Sequence, residues 1–236
     1  LLAQNDATDW DFMLARAEAN GLIVLATVDE QIHVETPDPG AAATLKVAYG
    51  LDLVGFEGAL DARNQHEQTT AQAWSPVTGD VSAATAQAPG LDEAGAGNLG
   101  PAALAKALKT GERLLRTAQA SADGSLRPWA EGTERRAALA GNRARLTFTG
   151  TGKAVPGTTI EIANLGERFS GKAYVGAVRH RIEAGQWLTE IDTGLDVETH
   201  AERHALTQPP AAALVPPVHG LQIGLVRKLE ADPGGL

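Results

Sequence analysis

The most constraining part of this 236-residue chain is the stretch 144–195, where four segments alternate apolar and polar residues. A period of two residues is typical of a β-strand that buries one of its faces. Short connections containing proline or glycine separate the segments, which favours antiparallel neighbours joined by tight turns. The four segments are 144–150, 158–163, 172–182 and 187–195.

A helix and a β-hairpin are predicted ahead of this sheet. Within 8–20, Thr8 has the position of an N-cap and four apolar residues share one helical face. Residues 22–28 and 31–37 flank Asp29 and alternate in polarity, which predicts the hairpin. The apolar helical residues are Trp10, Met13, Leu14 and Ala17. Further strands are predicted at 44–60, 69–74 and 81–88.

The rest of the chain separates or follows these strands. We predict a loop at 89–100, helices at 101–120 and 129–142, and a short helix at 198–206. Four prolines at 208–220 predict a linker, and a new strand pattern begins at Gly220. This order predicts an α+β fold dominated by an antiparallel sheet, because strands and helices do not alternate regularly.

Composition excludes several classes of protein. The net charge of −9 and the pI of about 5.1 argue against a general nucleic-acid binder. Because the chain has no cysteine, disulfides and thiolate chemistry are excluded. The sequence contains no run of about 18 apolar residues, so no membrane span is predicted. The chain starts without methionine and ends on an unfinished strand pattern, so we expect a piece of a longer protein.

The stretch 95–100, GAGNLG, has the G-x-G-x-x-G spacing of dinucleotide-binding loops. Such a loop must follow a buried strand, whereas the preceding residues are polar and include Asp92 and Glu93. We therefore expect an exposed, poorly ordered connection, with Pro101 as the first residue of a helix.

His200 and His204 are four residues apart and could share a helical face that binds a metal. The spacing H-x-E-x-H differs from the known zinc-protease motifs, and a third ligand is not identifiable. An incidental exposed pair is the favoured interpretation, and a metal site is the alternative.

Nothing else in the sequence indicates bond chemistry. There is no G-x-S-x-G motif, and Asp9 and Asp11 fit helix capping rather than acid-base work. His180 is interpreted as a structural histidine. We predict no catalytic, cofactor-binding or metal-binding residue and no cofactor, so the chain is expected not to be an enzyme.

Several stretches, taken in order, resemble one family. Residues 7–22, ATDWDFMLARAEANGL, lead into a hairpin that ends at Pro37 and are followed by LVGFEGALDARNQ at 53–65. The most specific motifs are Pro156-Gly157, the turn RFSG at 168–171, Tyr174 to His180, and Gly185 to Leu195. Together they resemble the VgrG spike and hub proteins, the Vgr proteins of Rhs elements, and the phage late-control D and tail-hub proteins.

The resemblance implies a division of the chain. A helix and hairpin would occupy 1–43, and a discontinuous β tube or barrel-like hub domain would comprise 44–88 and 142–197. A loop and helical insertion at 89–141, a linker at 198–219 and the start of an OB-fold domain at 220–236 complete it. Trp10, Phe12, Phe169, Tyr174 and Trp187 would be packing anchors, and the strands 144–150 and 172–195 would carry assembly contacts.

The function implied is that of a structural spike or hub protein in a contractile injection system: a type VI secretion system, an extracellular injection particle or a phage tail. The protein would form a homotrimer, present a pseudo-sixfold ring to a hexameric inner tube protein, and contact baseplate, spike-tip and effector proteins. It would assemble in the bacterial cytoplasm and then be secreted or become part of a particle.

Two alternatives from other classes stay open. One is a metal-dependent hydrolase that uses His200 and His204. The other is a monomeric glycan-binding β-domain, which the low aromatic content of 4% disfavours because sugars stack on aromatic rings.

Overall fold

A computed structural model describes residue 4 and residues 7–27, 30–75, 78–90, 95–117 and 123–204. The predicted linker from residue 205 onward and the predicted OB-fold start at 220–236 lie outside these described residues. In the described part, helices and strands follow one another as α1 (Asp9–Ala19), β1 (Ile23–Ala26), β2 (Ile32–Glu35), β3 (Leu45–Ala48), β4 (Leu53–Leu60), β5 (Gln68–Ser75), β6 (Asp80–Gln87), α2 (Pro101–Leu108), β7 (Glu112–Thr117), α3 (Asp123–Gly141), β8 (Asn142–Thr149), β9 (Thr159–Ala163), β10 (Gly171–Glu183), β11 (Gln186–Thr193) and α4 (His200–Arg203).

The predicted α+β fold is confirmed, and most of its strands form a six-stranded sheet in the order β3-β9-β10-β11-β8-β4. All neighbours in it are antiparallel except β3 and β9, which are parallel. The four strands predicted within 144–195 are β8 to β11, and they occupy the middle of the sheet. A register shift between Val175 and Ala177 marks a bulge in β10.

The sheet is curled into a half-barrel. Its two edge strands, β3 and β4, are separated in the chain only by residues 49–52. A flat sheet of this width would hold its edges about 24 Å apart, whereas five consecutive Cα steps reach about 19 Å at most. The strand pattern predicted over 44–60 is therefore divided by a turn into two strands, β3 and β4, at opposite edges of the sheet.

The strands of the half-barrel supply the main core. Its largest fully buried side chains come from strands β8, β9 and β11. The partly buried Phe56 and Val178 pack against this cluster. Burial of such a side chain contributes about 1.5–3 kcal/mol to folding. The largest members are Leu146, Phe148, Ile160 and Ile191.

A second sheet, in the order β6-β5-β7, packs against helix α3. Its core is built mainly from alanines, with Leu126 and the partly buried Leu115 and Trp129 as the larger side chains. The strands predicted at 69–74 and 81–88 are confirmed as strands, but they belong to this sheet and not to the half-barrel. The division of the chain into domains stays a prediction.

The helix predicted over 101–120 is wrong in its second half. Helix α2 ends at Leu108 because Lys109 takes a left-handed conformation with φ 57°. Residues Glu112–Thr117 then form β7, parallel to β5, and alternate between exposed and less exposed side chains. This alternation is also present in the sequence of β7. It was not recognised as a strand signal because Leu108 and Leu115 also fit a helical period.

Helix α3 begins at Asp123, six residues before the predicted start at Trp129, and contains Pro128. A proline usually ends a helix or lies in its first turn, so Pro128 is a local signal against a helix that continues through it. The turn ahead of Pro128 is held in place by Leu126, which is 2% exposed and packs into the alanine-rich core. Tertiary packing therefore extends the helix beyond its local signal.

Helix α1 and the predicted hairpin are confirmed close to their predicted bounds. Thr8 accepts a hydrogen bond from the Asp11 backbone N–H at 3.1 Å, and β1 pairs with β2 antiparallel. Of the predicted apolar face only Ala17 is buried, and Trp10 is 48% exposed. A third cluster of Ile23, Leu139 and Tyr174 joins the hairpin to α3 and β10.

Candidate functional site

The stretch GAGNLG is docked against the half-barrel and is not the exposed connection that the sequence predicted. The Gly97 backbone N–H donates to the Ser170 carbonyl at 3.0 Å, and Asn142 Nδ2 donates to the Ala96 carbonyl at 2.7 Å. Asn98 accepts from Arg168 at 2.8 Å and donates to Glu167 at 3.0 Å. These bonds connect the stretch to the turn 166–171 and to the start of β8.

Gly97 explains why this stretch requires glycine. Its φ is +99°, and a Cβ at this position would lie 2.4 Å from the Arg168 carbonyl oxygen. Close backbone approach, and not phosphate binding, is therefore the use of this glycine. Pro101 is the first residue of α2, as predicted, with Gly100 as the N-cap.

His200 and His204 lie at the two ends of the short helix α4, with ring centroids 4.8 Å apart. His200 Nε2 contacts Asp11 Oδ1 at 2.7 Å, and its backbone N–H donates to Glu18 at 2.6 Å. The hydrogen bond to His200, followed by that to Thr8, lowers the pKa of Asp11. Among the described residues no group of three or more His, Asp or Glu side chains could hold a metal ion.

His180 has the satisfied environment that the sequence predicted. Its Nδ1 lies 3.1 Å from Thr189 Oγ1, and the Trp187 indole stands edge-on to its ring at 5.7 Å. On the other face of β10, Arg179 forms an ion pair with Glu190 at 2.6 Å. These contacts connect β10 to β11.

The predicted aromatic anchors divide into buried and exposed groups. Tyr174 is 2% exposed, and Phe169 packs edge-on against Phe56 at 5.2 Å. Burial raises the pKa of the Tyr174 phenol. Trp10 and Trp187 are 48% and 43% exposed, although Trp187 packs against His180.

Exposed apolar side chains gather near one end of the half-barrel. Leu51 is 82% exposed in the β3–β4 turn, and Ile182 is 77% exposed beside Trp187 at the tip of the β10–β11 hairpin. Two hydrogen bonds connect the turn and the hairpin tip to the end of β8. The Thr149 N–H donates to the Asp52 carbonyl, and the Gly150 N–H donates to the Trp187 carbonyl. We name Tyr49, Leu51, Ile182 and Trp187 the apolar rim.

Strand edges are the second exposed feature. Within the described residues, β3 and β4 end the six-stranded sheet, β6 and β7 end the three-stranded sheet, and β1 and β2 pair only with each other. Unpaired edges expose rows of N–H and C=O groups that can pair with another chain. The exposed side chains of Ile32 and Val34 on β2 add apolar surface to such an edge.

Comparison with known proteins identifies the family. Residues 1–184 match the model of the Alg8 N-terminal domain. The chain belongs to the Alg8 N-terminal domain family. The description of this family names a domain and no activity. No curated protein sequence matches the chain.

Two solved structures with a similar fold are described as tail proteins. The 43 kDa tail protein of prophage MuSo2 from Shewanella oneidensis superposes with a TM-score of 0.55 at 12% identity, over 78% of this chain and 53% of that protein. A tail protein from Neisseria meningitidis MC58 superposes with a TM-score of 0.56 at 15% identity, over 83% of this chain and 57% of that protein. The family member described here thus shares its fold with tail proteins and spans little more than half their length.

None of the helices in the described part of the chain is long and apolar enough to cross a membrane.

Proposed function

We propose that this chain is a structural part of a tail-like particle, and specifically the spike or hub of a contractile injection system. In this proposal three copies form a pseudo-sixfold ring that caps a hexameric inner tube and carries the spike tip and effectors. The chain performs no bond chemistry. It assembles in the bacterial cytoplasm and leaves the cell with its particle.

The observation that carries this proposal is the curled six-stranded sheet, in a chain whose fold resembles that of the two tail proteins. A half-barrel has two edge strands, and a ring of copies protects such edges by pairing them between subunits. The apolar rim supports the same idea, because exposed apolar side chains that cluster indicate an interface.

The contacts of His200 argue for a structural role for the histidine pair. Its ring nitrogen and its backbone N–H both bind residues of α1, so His200 holds α4 against α1. The hydrolase alternative requires a metal at His200 and His204. Elemental analysis of the purified protein that finds stoichiometric zinc, lost in a His200→Ala, His204→Ala variant, would support that alternative against ours.

The proposal is tested by isolating the complete protein from its host with a small affinity tag. We expect tube and sheath proteins to co-purify and electron microscopy to place a tag-directed gold label at one end of the particle. A tagged protein that elutes free of any particle, from cells in which intact particles are visible, contradicts the proposal.

A further inference from the structure

A groove between α1, α3 and β7 is a second candidate site, separate from the apolar rim. It has a volume of about 800 Å³ and is partly open to solvent. This volume falls within the range of ligand-binding clefts. Ala19, Leu115 and Trp129 supply apolar surface, and Asn64, His66 and Arg113 supply polar groups.

Arg113 is the unusual residue of this groove. Its Nη2 donates to the Asn64 carbonyl at 2.6 Å and lies 3.3 Å from His66 Nδ1. Within the described residues Arg113 forms no ion pair, and its Nη1 and Nε have no hydrogen-bond partner. Glu134 and Glu202 attract it only from beyond ion-pair distance. A guanidinium is always charged, so a partly buried one without a carboxylate favours an anionic ligand.

The carboxylates that line the groove are already engaged. Glu18 pairs with Arg136 at 2.6 Å, and Glu202 accepts from the Thr199 backbone N–H and hydroxyl in a capping box. Glu198 lies 3.9 Å from Arg203. Burial and the charge of Arg113 lower the pKa of His66, which favours a neutral ring. The groove therefore presents unused hydrogen-bond donors on the Arg113 guanidinium, whereas its carboxylates already have partners.

We propose that this groove binds an extended segment of a partner protein in which a Glu or Asp side chain is flanked by apolar residues. A carboxylate oxygen accepts from the Nη1 or from the Nε of Arg113, the donors that have no partner among the described residues. The flanking apolar side chains pack against Leu115 and Trp129. The site is independent of the apolar rim and of whether the chain belongs to a tail-like particle.

The test uses ¹⁵N-labelled protein and follows the Trp129 indole N–H signal by NMR. The probes are the peptide acetyl-Ala-Leu-Glu-Leu-Ala-amide, the same peptide with Gln in place of Glu, and free glutarate. We expect the Glu peptide to shift the signal in a saturable way and to bind about tenfold more tightly than the Gln peptide, because a charged hydrogen bond is lost. This comparison needs no variant and cannot fail through misfolding.

Two variants locate the effect. Arg113→Gln is expected to abolish the preference for Glu over Gln. Arg116→Gln is the matched control, since Arg116 lies on the opposite, exposed face of the same strand, and it should keep the preference. Equal affinity for the two peptides, or no binding of either, overturns the proposal. Glutarate that binds as tightly as the Glu peptide overturns the assignment to a protein segment.

Discussion

At the scale of single residues, Glu134 is the most exceptional side chain in the fold. It lies on α3, is 3% exposed and accepts a hydrogen bond from Thr69. Burial raises its pKa above the ordinary value, against the smaller lowering effects of the Thr69 hydrogen bond and the charge of Arg113. A buried carboxylate that is ionised is costly, so this residue makes stability depend on pH.

The sign of that dependence follows from the raised pKa. The folded state holds the Glu134 proton more tightly, so its contribution to stability is complete below the unfolded pKa and is lost as pH rises through the folded pKa. We predict that Glu134→Gln unfolds at a higher urea concentration than the parent at pH 8. The advantage should shrink or reverse near pH 4.

Glu131→Gln is the matched control for this prediction. Glu131 is on the same helix, but its side chain is 44% exposed and pairs with Arg127 at the surface. Surface pairs of this kind contribute about 0–1 kcal/mol, so this variant should change stability little at either pH. An advantage of Glu134→Gln at pH 4 that disappears at pH 8 would show that the sign is wrong.

Gly97 gives a second prediction at this scale. Gly95 and Gly97 both have positive φ, but the nearest atom to an added Cβ is 3.9 Å away at Gly95 and 2.4 Å away at Gly97. Gly97→Ala should therefore destabilise the protein by about 1–3 kcal/mol more than Gly95→Ala. Urea unfolding followed by circular dichroism measures both, and equal losses would contradict the docked position of this stretch.

The sequence predicts residues whose role is local and misses those whose partners are distant. Thr8 was recognised as an N-cap because its partner is three residues away. Arg113 was not recognised, because its contacts with Asn64 and His66 require β7 to lie beside a segment about 50 residues earlier. The glycine spacing of 95–100 suggested a ligand loop, whereas a contact with residues 166–171 explains it.

At the scale of elements, one part-buried ion pair joins three helices. Glu18 of α1 and Arg136 of α3 are 2.6 Å apart, with side chains only 14% and 16% exposed. Glu18 also accepts the His200 backbone N–H, and Arg136 donates to the Asp196 carbonyl at 3.1 Å. The pair therefore holds α4 and the segment before it against α1 and α3.

Removing one partner of this pair leaves the other charge uncompensated. We predict that Glu18→Gln costs about 1.5–3 kcal/mol, the range for hydrogen bonds to charged groups. Hydrogen exchange of residues 196–203 should rise with it. Asp192→Asn, which breaks the exposed pair with Arg145, should cost about 1 kcal/mol or less. Similar losses in both variants would refute the role of the Glu18–Arg136 pair.

The sequence predicts elements best where one period is unambiguous. Strands β8 to β11 alternate over most of their length, and the sequence predicts each of them within two residues of its ends. Residues 101–120 were not, because leucines at 104, 108 and 115 fit a helix although Gly111 divides the segment. The early start of α3 could not be predicted, because it depends on the packing of Leu126 into the alanine-rich core.

At the scale of the whole molecule, the sequence could not predict which strands share a sheet. Alternation identifies a strand but not its neighbours, so β5 and β6 could not be separated from the half-barrel before β7 was known. The closure of β3 towards β4 likewise depends on curvature. The family resemblance predicted a β tube, and the half-barrel with its tail-protein fold agrees with that prediction in its coarse form.

The apolar rim offers a test of assembly that leaves the fold intact. Ile182 is 77% exposed, so Ile182→Ser should change the free energy of unfolding by about 0.5 kcal/mol or less. We predict that it weakens association between copies at least about tenfold in sedimentation velocity, because a buried interface side chain is lost. Val81→Ser, at a site 56% exposed on β6, is the control that should retain association.

The most direct test of the structural role is the mass of the complete protein in solution. Size-exclusion chromatography with light scattering at about 10 μM measures it without reference to any partner. Our account predicts three times the mass of one chain, and a smaller mass for Ile182→Ser. A mass of one chain for the unmodified protein at this concentration would contradict the proposal that the half-barrels form a ring.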